Sequence, residues 1–230
     1  MKILGLIAGA AMLLGAQSAY AVSITNGGFD APPAASDPFN YIPAGGPGLT
    51  GWTVGGNGVD HIGNAWQPQN GANSLDLSGN GGTGHGSISQ QLSGLTIGQE
   101  YKISFYMSGN IGSGQDTKSL DLGLYDDASL SLASFEDGAG YIYNTLLNNN
   151  SNADMKWALE TFTFVASQSA YYLAFFDTSA SGSNSGAAID NISIASTAVT
   201  PIPPAILLFA SALGGMGFIG YRRKKQAAEA

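Results

Sequence analysis

The residues best suited to contact a ligand lie between positions 60 and 90. Trp66 and Gln67 sit in a polar stretch rather than in an alternating strand, which predicts an exposed indole beside amide groups. Aromatic faces stack on the C–H side of a sugar ring, while amides and carboxylates bond its hydroxyls. We therefore predict a sugar-binding rim made of six residues: Asp60, His61, Trp66, Gln67, Asp76 and Gln90.

Each of these residues also has a structural interpretation. Trp66 fits a core position about equally well, and for Trp52 and Trp157 we favour core packing. Asp60 and Asp76 would then be solvated ends of strands.

The sequence supports catalysis less than it supports ligand binding. The chain has no cysteine, its two histidines (His61 and His85) lack metal-ligand spacing, and no Gly-x-Ser-x-Gly elbow occurs. Asp60 and Asp76 would serve a glycosidase only if the fold held their carboxylates at the right separation. We expect a protein that binds without catalysis, with a glycosidase as an alternative.

The elements that must position these residues are predicted to be strands. Leu120, Leu122 and Leu124 alternate with polar or small residues, residues 88–92 and 101–107 alternate likewise, and residues 171–176 form an apolar run suited to a central strand. The alternation of apolar residues shifts by one position between residues 157–159 and 162–164, which predicts a β-bulge. Residues 141–150 have room for a short helical turn. This pattern predicts an all-β, two-sheet sandwich.

Charge limits the class of ligand. Residues 22–198 carry fifteen acidic residues, three lysines and no arginine, so their formal charge is −12. Such a domain lacks the guanidinium clamps that bind phosphates and carboxylates, and its field repels polyanions. Nucleic acid is excluded as an expected partner, whereas neutral glycans stay open. Because the chain has no cysteine, no disulfide can stabilise the domain, and stability must come from the core and from any bound metal. A cation that gathers several carboxylates would also relieve the self-repulsion, so we expect calcium.

Both ends of the chain predict export. Lys2, an apolar stretch and a small-residue cleavage site predict a signal peptide over residues 1–21. Near the other end, an uncharged stretch over 205–220 is followed by four cations, which predicts a single transmembrane helix with a cytoplasmic basic tail. We assign residues 22–198 to the β-sandwich domain and 199–230 to a Pro-rich motif, this helix and the tail.

The segment 199–230 resembles the VPLPA variant of the PEP-CTERM sorting signals of Gram-negative bacteria. The resemblance rests on a Pro-rich motif, an early Leu-Phe, central glycines and a basic end. It implies an exosortase-type sorting enzyme as a partner, passage through the inner membrane, and delivery to the cell surface or extracellular matrix. The sorting residues are Pro201, Ile202, Pro203, Pro204, Arg222 and Arg223.

The domain itself resembles the choice-of-anchor C family, which is related to the galactose-binding-like jelly rolls. The resemblance rests on an ordered series of segments that includes residues 26–30, 51–54, 59–63, 74–77, 86–90 and 190–192. It implies a jelly-roll sandwich that binds carbohydrate, here an exopolysaccharide or another neutral glycan. It also implies a structural Ca²⁺ shared by Asp30 and Asp190 with backbone carbonyls. A structural matrix or biofilm protein without sugar binding is the main alternative.

Overall fold

The computed structural model describes residues 22–34, 38–79, 85–112, 116–180 and 184–197. Within these ranges it contains eleven strands, one 3₁₀ turn over Leu132–Ser134, and the helix α1 over Thr145–Asn148. The strands are β1 (Phe39–Ile42), β2 (Thr53–Gly56), β3 (Val59–Ile62), β4 (Ser74–Asp76), β5 (Gly86–Ser93), β6 (Glu100–Gly109), β7 (Thr117–Tyr125), β8 (Phe135–Asn144), β9 (Ala158–Val165), β10 (Ala170–Asp177) and β11 (Ala187–Ser196).

The strands form two antiparallel sheets that pack into a sandwich. The six-stranded sheet has the order β1-β3-β4-β11-β6-β9, and the five-stranded sheet has the order β2-β5-β10-β7-β8. The prediction of an all-β, two-sheet jelly-roll sandwich is therefore confirmed. The predicted helical turn within residues 141–150 is present as α1.

The main core lies between the sheets, because each sheet turns one row of alternating apolar side chains inward. On β7 the three predicted leucines at 120, 122 and 124 are buried in this core. At its centre the ring of Phe105 meets Phe175 and Tyr141 edge to face, with centroids 5.1 and 5.0 Å apart. Trp52 is also in this core, as predicted, and its indole N–H donates to the carbonyl of Asn26 at 3.1 Å.

The predicted bulge in β9 is wrong. β9 pairs with β6 without a break in register, and the inward row continues from Ala158 to Phe162 and Phe164. Leu159 is exposed instead, because it lies on the outward row. The register shifts occur in β11, between Asp190 and Ser193, and where β7 meets β8.

A second, smaller core covers the outer face of the six-stranded sheet. It contains Ile62 from β3, Ala188 from β11, Met155 and Trp66, with Phe39, Ala65 and Trp157 packed against it. The residues that cover the sheet come partly from the β3–β4 connection, residues 64–73, which we call the cover loop. Strand β3 is consequently buried along both faces.

No helix in the described part of the chain is long and apolar enough to cross a membrane. The predicted signal peptide and the segment 199–230, with its sorting motif and transmembrane helix, lie outside the described residues. The domain boundaries at 21 and 198 stay predictions.

Candidate functional site

The structure places Trp66 in the second core rather than on an exposed rim. Its side chain is only 6% exposed, and its indole N–H donates to Ser74 Oγ at 2.9 Å. The expectation of an exposed ring was wrong because the cover loop folds back onto the sheet, where Ile62 and Met155 pack against the indole. The sequence of a polar stretch does not show that the loop will fold back against the sheet.

Three of the five other residues of the predicted rim, Asp60, His61 and Asp76, are buried and do not share one surface. Asp60 and Asp76 lie directly opposite each other on β3 and β4. Both point away from the main core, since their neighbours Val59 and Leu75 point into it. His61 points the other way, and its Nε2 lies 2.8 Å from the carbonyl oxygen of Phe29. Burial lowers the pKa of His61 below its usual value, while the bond to this carbonyl opposes the change.

Asp60 and Trp66 nevertheless meet at a cleft on the outer face of the six-stranded sheet. This cleft, which we call the amide cleft, has a volume of about 250 Å³. It is lined by Phe39, Asp60, Ile62, Ala65, Trp66, Asn110, Gly112, Asn152, Asn184 and Ser185. It combines three asparagine side chains and one carboxylate with an apolar floor.

Asp76 lies outside the lining of the amide cleft. Its Oδ2 accepts a hydrogen bond from Asn110 Nδ2 at 2.7 Å, and its Oδ1 accepts from the backbone N–H groups of Ser78 and Gly186 at 2.9 and 3.1 Å. Burial raises the pKa of Asp76 to about 7, and the nearby carboxylates of Asp60 and Asp177 add to this effect. Of the pair, Asp60 lines the cleft, while the Asp76 carboxylate bonds Asn110, which also lines it.

Gln67 and Gln90, the remaining predicted ligand-binding residues, have structural contacts. The backbone of Gln67 donates to the carbonyl of Asn152 and accepts from the indole of Trp157. Gln90 Nε2 donates to the carbonyls of Thr25 and Gly51 at 3.0 and 2.8 Å. The side chain of Gln90 thus ties the start of the domain to β5, and it does not line the amide cleft.

Asp30, predicted as a metal ligand, binds the end of the cover loop. Its Oδ1 accepts hydrogen bonds from the backbone N–H groups of Ala72 and Asn73, at 2.8 and 3.0 Å. Gly71 has a φ of +67°, and a Cβ at this position would collide with the Asp30 carboxylate. Glycine is required here both for its backbone conformation and for the close approach of the acid.

Asp190, the second predicted ligand, binds the same loop from β11. Its Oδ2 accepts from the backbone N–H groups of Gln69 and Asn70 at 2.8 and 3.1 Å, and its Oδ1 accepts from Asn191 N–H at 2.6 Å. Burial raises the pKa of Asp190 to about 7, these hydrogen bonds lower it, and the charge of Asp30 raises it further.

The two acids converge beside Gly28. A Cβ at this glycine would lie 3.5 Å from Asp30 Oδ2 and 4.0 Å from Asp190 Oδ1. Two carboxylates that face one small space fit a hard cation such as Ca²⁺, which takes oxygen ligands. No cluster of three or more His, Cys, Asp or Glu side chains suited to a metal occurs among the described residues. Backbone or amide oxygens would therefore have to complete the coordination.

A larger depression lies on the outer face of the five-stranded sheet. This depression, which we call the aromatic pocket, has a volume of about 480 Å³. It is lined by Asp121, Leu122, Tyr125, Leu130, Leu132, Phe135, Gly138, Ala139, Gly140 and Phe176. Leu132, in the loop between β7 and β8, is 93% exposed at its edge.

Strand register assembles the aromatic pocket from three strands. Phe176 of β10 lies opposite Asp121 of β7, which lies opposite Gly140 of β8. Tyr125 contacts the rings of both Phe135 and Phe176, with centroids 5.4 and 6.0 Å away. The three rings therefore form one cluster, of which Phe135 is 44% exposed.

Glycines let these rings lie against the sheet. A Cβ at Gly123 would fall 2.6 Å from the ring of Tyr125, and one at Gly138 would fall 3.0 Å from the ring of Phe135. Because these two positions have no side chains, the aromatic rings can lie close to the backbone of the sheet. Larger residues would lift the rings and fill the pocket.

The aromatic pocket was absent from our predicted site residues, although one signal was present. The outward row of β7 consists of Asp121, Gly123 and Tyr125, between the leucines that predict the strand. An aspartate, a glycine and a tyrosine on one face are consistent with a ligand surface. The pairing with Phe176 and Phe135 depends on strand order, which the sequence does not reveal.

Comparison with known proteins gives one family. The model of the family described as "Protein of unknown function (DUF642)" matches residues 22–195. Among curated proteins, Halomucin of Haloquadratum walsbyi is 28% identical over 197 residues, which is 84% of this chain. The chain spans only about 2% of the length of Halomucin.

Solved structures are similar at low sequence identity. TmCBM61 in complex with β-1,4-galactotriose is 12% identical with a TM-score of 0.45, over 74% of this chain and 95% of the other. The CBM22-1 xylan-binding domain of Paenibacillus barcinonensis Xyn10C is 15% identical with a TM-score of 0.42, over 72% and 100%. The K2 adhesin domain of Lys-gingipain is 16% identical with a TM-score of 0.47, over 73% and 96%.

Proposed function

From the premise that this chain belongs to the DUF642 family, we propose that it is a carbohydrate-binding β-sandwich that takes a neutral glycan in the aromatic pocket. The observation that carries the proposal is the cluster of Tyr125, Phe135 and Phe176 over a glycine floor, with the exposed carboxylate of Asp121 beside it. A contiguous apolar patch at the surface of a sheet, rimmed by a polar residue, is typical of a ligand or protein contact.

The chemistry of the pocket suits a sugar. The half-buried ring of Phe176 and the exposed ring of Phe135 supply apolar surface for the C–H face of a pyranose. Asp121 supplies an acceptor for its hydroxyls. None of the described residues that line the pocket is Lys or Arg, and residues 22–198 carry a formal charge of −12. An anionic glycan would be repelled, so the proposed ligand is neutral.

Substitution of Phe176 tests this proposal. We expect Phe176→Ala to weaken binding about tenfold, because loss of one stacked aromatic face is worth about 1.4 kcal/mol. Binding is measured by affinity electrophoresis with xylan and galactan and by calorimetry with β-1,4-galactotriose, using residues 22–198 of the chain. Asp121→Asn, at an exposed position, should also weaken binding without a loss of stability.

A matched control is Leu159→Ala, which removes an exposed apolar side chain from the other sheet and should bind as the unmodified protein does. If no neutral polysaccharide is retained, or if Phe176→Ala binds as well as the control, the proposed function is wrong. The matrix protein without sugar binding would then be the better interpretation.

We propose further that the protein is exported and delivered to the surface or matrix without a catalytic role. The predicted leader over 1–21 and the sorting segment over 199–230 support this destination. Mass spectrometry of the mature protein tests it. We expect a C-terminus near Thr200, whereas a C-terminus at Ala230 would indicate retention in the membrane and exclude cleavage by a sorting enzyme.

A further inference from the structure

The amide cleft and the aromatic pocket lie on opposite faces of the sandwich. In the six-stranded sheet, Ile189 points into the main core and its neighbour Ala188 into the outer core, on the side of the amide cleft. In the five-stranded sheet, Leu122 and Leu124 point into the main core, and Asp121 points outward into the aromatic pocket. Both sheets thus separate the two sites, which cannot belong to one continuous groove.

We propose that the amide cleft is a second, independent glycan site that takes a single sugar unit. Three asparagines, Asn110, Asn152 and Asn184, line the cleft together with Asp60. A sugar hydroxyl both donates and accepts hydrogen bonds, and an asparagine amide offers one group of each kind. Phe39 and Trp66 supply the apolar wall that the C–H face of a sugar requires.

The polar groups at the back of the amide cleft are held in position before any ligand arrives. Asn110 donates to Asp76 through Nδ2 and accepts from the backbone N–H of Gly112 through Oδ1, at 2.7 Å in each case. Trp66 is fixed by its bond to Ser74, and Asp60 is only 4% exposed. A pre-ordered site loses little conformational entropy on binding, which favours recognition of one small unit.

Two other residues of the lining, in contrast, are exposed to solvent. Asn152 and Asn184 are both exposed, and the backbone carbonyl of Asn152 accepts from Gln67 N–H. A volume of about 250 Å³ is at the lower end for ligand sites, which fits one ring and not a chain. Among the described residues of the lining there is no Lys or Arg, and Asp60 is acidic, so we take the unit to be uncharged.

Two sites on opposite faces make the domain bivalent. If each site holds a different chain, one domain joins two polysaccharide molecules, and the second contact benefits from the effective concentration that the first provides. This consequence depends on the proposed function of the aromatic pocket, whereas sugar binding in the amide cleft does not.

Nuclear magnetic resonance distinguishes the two sites in one titration. Galactose and xylose are added separately to ¹⁵N-labelled protein, residues 22–198, and the side-chain amide signals are followed. We expect at least one of the sugars to shift the signals of Asn152 and Asn184 but not that of Asn64, an exposed asparagine of the cover loop outside the cleft. If the signals of Asn152 and Asn184 move no more than that of Asn64 with either sugar, the proposal is overturned.

The backbone signals of Asp121 and Gly140 report the aromatic pocket in the same spectra, so failure of one site is seen separately from failure of the other. Asn152→Ala should abolish the shift at Asn184, and Asn64→Ala should not. Bridging is measured as light scattering with xylan or galactan. It should disappear in Asn152→Ala and in Phe176→Ala alike, and its persistence in either variant would refute bivalency.

Discussion

Replacing Asp76 by asparagine is expected to flatten the pH dependence of stability between about pH 4 and pH 7. Burial raises the pKa of this carboxyl from its ordinary value of 3.8 to about 7 in the folded protein. A carboxyl with a raised folded pKa binds its proton more tightly in the folded state. Its contribution to stability is therefore fully present below the unfolded pKa and is lost as pH rises through 7, a change of roughly 4 kcal/mol.

The variant removes this titration and keeps the shape of the side chain. Asparagine still offers one oxygen to the N–H groups of Ser78 and Gly186, but its amide meets the donor of Asn110, which must turn. We expect the unmodified protein to lose stability from pH 5 to pH 8 while Asp76→Asn loses much less, as measured by urea unfolding. Asp121→Asn, at an exposed carboxyl, is the control. Parallel pH profiles of Asp76→Asn and the unmodified protein would contradict the prediction.

If free calcium is first about a hundredfold above its dissociation constant, its removal with EDTA is expected to lower the melting temperature by about 5–10 °C. We propose that the ion lies between Asp30 and Asp190 beside Gly28. Bound there, it would neutralise two carboxylates that otherwise repel each other.

The effect of EDTA should depend on pH in a defined direction. Without a cation, the pKa of Asp190 is raised to about 7, so the proton competes with the metal below that value. The decrease in melting temperature on addition of EDTA should therefore be larger at pH 8 than at pH 5.5. Asp190→Asn should abolish the response to EDTA and Asp121→Asn should not. An unchanged melting temperature of the unmodified protein at pH 8 would remove the calcium proposal.

The sequence predicts the sheets well, because alternation of apolar residues reflects burial directly. Leu120, Leu122 and Leu124 point inward as their spacing predicts, and Trp52 packs in the core. The apolar phase around Leu159 misled the prediction, since an exposed leucine on an edge strand looks the same in the sequence as a buried one. Apolar spacing therefore predicts strands more reliably than it predicts their irregularities.

The sites were predicted less well, since ligand surfaces arise from chain segments that the sequence does not connect. Trp66 and Asp60 do meet in one cleft, but the burial of the indole results from the fold of the cover loop. Asp30 and Asp190 converge as the family resemblance implies, although 160 positions apart in the numbering. The aromatic pocket needs the strand order β10-β7-β8, which only the structure provides.

The two candidate sites are held in place in different ways, because only the amide cleft is built on the cover loop. Backbone N–H groups of residues 69, 70, 72 and 73 in this loop donate to the carboxylates of Asp30 and Asp190, and the same loop contributes Trp66 to the wall of the amide cleft. The aromatic pocket is built mainly on β7, β8 and β10, with Leu130 and Leu132 from the β7–β8 connection in its lining. The shape of the outer face of the six-stranded sheet therefore depends on hydrogen bonds to two carboxylates, whereas the aromatic pocket depends on the pairing of strands.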